Sequence, residues 1–324
     1  MKKIILSTII LCGSLLSFGQ NNKVSFVDYC KKNNIFNHLE AGLTLGTTGI
    51  GIDLGAPITD WVKMRMGISY FPQATFPFDF NLTQYSDGVV TEDNFDHVSE
   101  MMEKITGYEI DKMVRIDGKP NLFNFKMLFD VYPFKNNRHW HFTAGFFLGP
   151  KRIAKGINTM NEMTSLMSLN LYNRMYDYFT TTDFFDTPIY GDIYLDPEVA
   201  DMLKETFEEY GRLGIHVGDF RDGQPYIMQP DKHGMVTVNA YVNVFRPYLG
   251  FGYGGAISKD KRWNVAVDAG VMFWGGSPNL VTHDGVSLTH DVVDIKGKVG
   301  DKVDLITSIK VYPVLDFRIS YTIF

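Results

Sequence analysis

Two copies of Thr-His-Asp, Thr282-His283-Asp284 and Thr289-His290-Asp291, stand seven residues apart and form the sharpest constellation of chemically able side chains in the chain. An imidazole beside a carboxylate can ligate a metal ion or activate water. The spacing matches no zinc motif, and His and Asp are ordinary residues of polar loops. His283 and His290 are therefore the only metal candidates, and with Asp284 and Asp291 they would be the machinery of a hydrolase. His139, His141, His216 and His233 show no partner pattern. Gly-x-Ser-x-Gly, His-Glu-x-x-His, Walker and dinucleotide patterns do not occur, and Gly250, Gly252, Gly254 and Gly255 read as strand glycines. The expectation is a protein with no catalytic residues and no cofactor.

A second group of charged residues is defined by periodicity. Val265, Val267, Ala269, Val271 and Phe273 alternate with Asn264, Ala266, Asp268 and Gly270, so one face of an extended segment is apolar and the other polar. The same pattern puts Met64, Met66 and Ile68 opposite Lys63 and Arg65, and Phe125 and Phe129 opposite Lys126 and Asp130. It also sets Phe317, Ile319 and Tyr321 opposite Asp316 and Arg318. Phe142 and Phe146 mark a fifth strand and Val236 to Val244 a sixth, and two more lie between Leu39 and Ala56 around Gly46-Thr47-Thr48-Gly49. Apolar residues that meet lipid on one side and charges that meet a lumen on the other describe an all-β transmembrane protein, an antiparallel up-and-down β-barrel.

The lumen charges are Glu40, Asp53, Asp130, Asp268 and Asp316 against Lys63, Arg65, Lys126 and Arg318. The signs nearly balance. An eight-stranded barrel is just wide enough for its own side chains, and buried charges persist when paired, so a plugged, ion-paired lumen is predicted. With ten strands the same residues could line a narrow channel.

Connection lengths support eight strands. The links near Thr59-Asp60, Lys135 to Arg138 and Ser258 to Arg262 are short, whereas the segments at about 72–120, 149–235 and 275–311 are long. Outer-membrane barrels have short periplasmic turns, long outer loops and an even strand number. A bulged first strand would give seven. A hairpin of Gly214 to Asp219 with Gln224 to Gln229 could give ten. The long segments carry helical signals at Asn94 to Thr106, Asn158 to Thr180 and after Asp196-Pro197-Glu198. In the second of these, Met160, Met163, Met167, Leu171, Met175, Tyr178 and Phe179 form the apolar stripe and are predicted to be core. In the third, the stripe is Val199, Leu203, Phe207 and Tyr210. The helices are predicted to cap the barrel mouth.

Residues 1–19 read as a cleaved signal peptide, with Lys2 and Lys3 before an apolar block of about a dozen residues, too short to span a bilayer as a helix. A lipoprotein site at Cys12 is disfavoured by the bulky Leu11 before it. Residues 20–37 would be a short periplasmic segment and 38–324 the barrel. No later apolar run reaches the length of a membrane helix. Cys30 is the only other cysteine, which leaves no internal disulfide and no cysteine zinc site. The net charge of −6 is finely mixed, which argues against nucleic acid.

Several stretches carry a resemblance. Gly49-Ile50-Gly51-Ile52-Asp53-Leu54 with Met64 to Tyr70, Leu128 to Phe134, and Phe245 to Gly254 resemble the outer-membrane β-barrel proteins of Bacteroidota. More distantly they are similar to the eight-stranded OmpA-like membrane domain. The resemblance implies an outer-membrane address and porin-like architecture, with no catalytic residues to carry over. Unlike OmpA-like proteins, the chain is not expected to carry a peptidoglycan-binding domain after the barrel, and Phe324 is out of register with the apolar series ending at Ile323. The function expected is surface binding or a structural role, with outer-membrane lipid, lipopolysaccharide and a protein or glycan at the outer loops as partners. The alternatives are a small porin or solute channel and a barrel-rim hydrolase.

Overall fold

The computed structural model describes residues 36, 38–86, 89–91, 94–134, 136–182, 188, 191–295, 308 and 310–323. The signal segment, both cysteines and Phe324 lie outside the described residues. Strands β1 (Glu40–Gly46), β2 (Gly49–Thr59) and β3 (Val62–Tyr70) come first, followed by β4 (Phe76–Ser86), β5 (Val89–Thr91), helix α1 (Phe95–Thr106) and β6 (Met113–Pro120). The chain returns through β7 (Phe123–Val131) and β8 (Trp140–Leu148), then departs through β9 (Arg152–Asn158), α2 (Met160–Thr181), α3 (Pro197–Tyr210), β10 (Arg212–Phe220), β11 (Pro225–Met228) and β12 (Thr237–Tyr241). Strands β13 (Phe245–Ala256) and β14 (Trp263–Phe273), the short β15 (Asn279–Thr282) and β16 (Val292–Val293), and β17 (Val311–Thr322) complete it.

Eight strands close into an antiparallel barrel in the order β1-β17-β14-β13-β8-β7-β3-β2, so each barrel strand pairs with its neighbours along the chain. The fold class and strand number are those the alternation predicts. Register carries the alternation round the wall: Leu43 sits beside Ile319, Ile319 beside Val265, Ile68 beside Phe125 and Met64 beside Phe129. Ile68, Phe142, Val267 and Phe317 are exposed on the outer wall. Met64, Met66, Phe125, Phe129, Phe146, Val265, Val271, Ile319 and Tyr321 are half-buried among their neighbours there. At the end with short turns, Trp140 meets Tyr253 and Trp263 meets Tyr321 at ring separations of 5.0 Å, while Trp61 stands exposed at the β2–β3 turn. At the other end Tyr70, Phe123, Phe245 and Phe273 are exposed. The apolar wall thus lies between two aromatic girdles.

A second sheet stands on the barrel. Its central order, β4-β6-β9-β12-β15, repeats the barrel order β3-β7-β8-β13-β14, and each member joins its barrel counterpart directly along the chain. Part of the barrel wall therefore continues past the apolar belt as an outer sheet, which β10 and β11 extend at one edge. Helix α2 packs on α1, α3 and β10, and α3 packs on β4. Leu82, Val98, Met102, Val114, Leu166, Leu169, Tyr172, Phe207, Leu213 and Ile215 share the core of this outer domain.

Three sequence readings are corrected. The sixth barrel strand is β13, whereas Val238 and Ala240 lie on β12 in the outer sheet, paired to β9 and β15. The second outer insertion accordingly runs past 235 to residue 244. Alternation signals one buried face, and a sheet covering a protein core has one just as a sheet facing lipid does. The Gly214–Gln229 hairpin forms as β10–β11, yet it extends the outer sheet and leaves the barrel at eight.

The third correction concerns α2. Its buried residues are Ser165, Leu166, Ser168, Leu169, Tyr172 and Asn173, while Met160, Met167, Leu171 and Tyr178 of the expected core stripe are exposed. Most of the buried polar groups are satisfied by backbone, and Ser168 meets the Thr106 hydroxyl at 3.2 Å. Asn173 exchanges bonds with both backbone groups of Leu213, the Tyr172 hydroxyl donates to Gly211 O at 2.6 Å, and Ser165 Oγ accepts from Asp111 N. A polar face can thus be the inner one when a strand end supplies its partners. In α3, Phe207 is buried and Tyr210 packs against the core as the stripe predicts, while Ala200 is buried in place of the exposed Val199. Its start is as read: Asp196 caps Glu198 N at 3.0 Å with Pro197 in the first turn.

Candidate functional site

Arg65 rises from β3 into the lumen and is 3% exposed. Its Nη2 donates to Asp130 Oδ1 on the adjacent β7 at 2.7 Å, and its Nη1 donates to Asp268 Oδ2 at 3.2 Å. Strand β14, which carries Asp268, is four strands from β3 in either direction, so this bond crosses the full diameter. Asp268 also meets His141 Nε2 of β8 at 2.6 Å and Arg318 Nε of β17 at 3.4 Å. Thr143 Oγ1 completes the shell of Asp130 at 2.8 Å.

Two further pairs lie beside this cluster. Lys126 Nζ is 2.9 Å from Asp53 Oδ1 on β2 and donates to Thr44 on β1. Lys63 pairs with Glu40, whose other neighbours are Ser320 Oγ at 3.2 Å and His38 Nε2 at 3.5 Å. Asp316 accepts from Thr48 Oγ1 at 3.2 Å. All nine lumen charges named from the sequence project inward. Lys126 and Asp130 are almost fully buried, a state that an unpaired ion could hold only at a cost of several kcal/mol.

Residues of β13 make room for the cluster. A Cβ on Gly252 would lie 2.4 Å from His141 Nε2 and 2.5 Å from Asp268 Oδ1, so the absent side chain is what lets these two meet across the strand. Above the charges sits an apolar layer of Leu128, Phe147, Tyr248, Met272 and Val314, and Tyr312 links it to the core of the outer domain.

Two inward residues escape the sequence reading. His141 shows no partner pattern there, although Trp140, Phe142 and Ala144 face outward and parity alone places it in the lumen. Arg246, inward by the same rule on β13, is fully buried. It donates to Asn243 O at 2.7 Å, Asn124 Oδ1 at 2.7 Å and Pro150 O at 2.6 Å. These neutral acceptors belong to three chain segments at the junction of barrel and outer domain, which Arg246 rivets together.

The Thr-His-Asp copies stitch a loop. In the first, the Thr282 hydroxyl bonds the Asp284 carboxylate and Val286 O, and Tyr226 of β11 donates to Asp284 at 2.8 Å; burial pushes the Tyr226 hydroxyl well above its ordinary pKa. In the second, Asp291 accepts from Ser287 N at 2.9 Å and Thr289 Oγ1 spans Pro278 O and Leu280 N. His283 and His290 are exposed. Among the described residues, no three His, Cys, Asp or Glu side chains gather where a metal could sit.

No family model matches the chain, and no curated protein does. Solved structures similar to it include Acinetobacter baumannii CarO2, at 14% identity over 88% of this chain and 98% of that one, with a TM-score of 0.38. Acinetobacter baumannii CarO matches at 15% identity over 88% and 97%, TM-score 0.37. A major outer membrane protein from Thermus thermophilus matches at 9% identity over 88% and 98%, TM-score 0.29.

Proposed function

We propose that this chain is an integral outer-membrane protein of a Gram-negative bacterium whose barrel is a plugged anchor and whose outer domain is a surface-binding or shielding platform. The barrel strands other than β1, with 9 to 12 residues each, are long enough for the roughly 9–11 residues a tilted strand needs to cross a bilayer. The apolar belt between aromatic girdles supports the same reading. No described helix is long and apolar enough to cross a membrane. Short turns belong to the periplasmic side and the outer domain to the extracellular side. Export by a cleaved signal peptide and kinship with Bacteroidota and OmpA-like barrels complete the reading.

The single observation that carries the plug is the Arg65–Asp268 bond across the lumen, with its neighbours on β7, β8 and β17. In planar bilayers the purified full chain is expected to give no steady ion current. A stable conductance would replace this reading with that of a small pore.

Lipid and lipopolysaccharide are the expected surroundings. The exposed Met160, Met167, Leu171 and Tyr178 face of α2 is the expected contact for a protein or glycan. No reaction is assigned, because Thr282, Asp284, Thr289 and Asp291 are occupied in holding turns. A turnover lost when both His283 and His290 become Ala would restore the hydrolase reading.

A further inference from the structure

At the short-turn end the lumen opens into a cavity of about 330 Å³ lined by, among others, Glu40, Lys63, Tyr132, Arg138, His141 and Arg318. Arg318 is 5% exposed, yet its guanidinium makes a single protein hydrogen bond, the long one from Nε to Asp268. Both Nη groups are left without an acceptor among the described residues. The Nη groups are open to the vestibule, so a planar oxyanion that enters it can reach all four of their N–H donors.

The nearby carboxylates are already engaged. Glu40 is held by Lys63 and Ser320, and Asp268 is shared by Arg65, His141 and Arg318. The lining carries the cations Lys63, Arg138 and Arg318 and the carboxylates Glu40 and Asp60, and behind it Arg318 shares Asp268 with Arg65 and His141. Tyr132, Pro57 and Val62 add apolar wall.

We infer that this vestibule binds a small solute bearing one oxyanion, a carboxylate or a phosphate, seated two-pronged on the Arg318 Nη groups with Arg138 at the rim. The fork geometry of arginine matches such groups, and the half-enclosed site strengthens the contact. The inference rests on the plugged-barrel reading, in which the vestibule is blind and fills from the periplasmic side.

The test uses the full chain in lipid nanodiscs at constant ionic strength, titrated with sodium benzoate, with inorganic phosphate and with neutral benzamide. Ring resonances of Tyr132 and His141 report occupancy, and the first two probes separate a carboxylate source from a phosphate one. A saturable shift is expected with at least one oxyanion and none with benzamide. Arg318→Lys, which keeps the charge and loses the fork, should weaken binding about tenfold or more. Arg138→Gln, at an exposed position that the fold does not need, should weaken it about threefold. Absence of saturation with both oxyanions, equal binding of benzamide, or unchanged affinity in both variants overturns the site. Conductance of the same preparation separates the two readings: a steady current overturns the plug, whereas a silent bilayer without saturable binding overturns the anion site alone.

Discussion

Arg65 and Asp268 stand on diametrically opposite strands of the barrel and meet at 3.2 Å. No local rule brings them together, because 203 residues separate them in sequence. The wall of an eight-stranded barrel is narrow enough that a guanidinium from one side reaches a carboxylate on the other. The contact braces the wall, and it is also the reason the lumen is read as closed.

Asp268→Ala should cost about 3–5 kcal/mol, since it leaves Arg65, Arg318 and His141 facing a lost carboxylate. Replacing Arg65 and Asp268 together by Leu should cost less than the sum of the two single changes. Urea unfolding from lipid vesicles measures both. Strict additivity would mean that the two residues do not act as a pair.

Gly252→Ala should destabilise the barrel by about 1–3 kcal/mol, because the new methyl would displace the His141–Asp268 contact. Gly42→Ala, whose Cβ would come no nearer than 3.2 Å to any atom, is the milder comparison. The two are compared by the same vesicle unfolding. Equal effects would remove the clearance argument for β13.

The two faces of α2 should respond in opposite ways. Met167→Glu, on the exposed face, is expected to shift stability by no more than about 0.5 kcal/mol. Leu169→Glu places an unpaired charge in the outer-domain core and should unfold that domain while the barrel stays embedded. Limited proteolysis of intact cells or vesicles distinguishes the outcomes, and a protease-resistant Leu169→Glu protein would invert the assignment of faces.

Acid should loosen one outer turn. Burial raises the Asp231 carboxyl, but the amides of His233 and Met235, at 2.8 and 2.9 Å, and the charges of His233 and His283 outweigh it and hold its pKa below the ordinary 3.8. A group whose folded pKa is depressed contributes its stability above the unfolded value and loses it as pH falls through the folded one. The Asp231–Met235 turn should therefore hold at neutral pH and open only below 3.8, seen as a shift of the Met235 amide resonance. Asp231→Asn should abolish that acid transition, and its persistence in the variant would assign it to another group.

The inward set Glu40, Asp53, Lys63, Arg65, Lys126, Asp130, Asp268, Asp316 and Arg318 was legible because side chains alternate strictly along a strand, so one apolar face dictates where every second residue points. Strand number followed from turn lengths, which are equally local. Tertiary structure alone decided the rest. Alternation reports a half-buried strand without saying what covers it, so Val238 and Ala240 looked lipid-facing until the outer sheet claimed them. The buried face of α2 depended on β10 offering backbone partners to Asn173 and Tyr172, which no helical period encodes. Which inward charges meet is set by closure and register of the barrel, and those bring residues from opposite walls, distant along the chain, into one network.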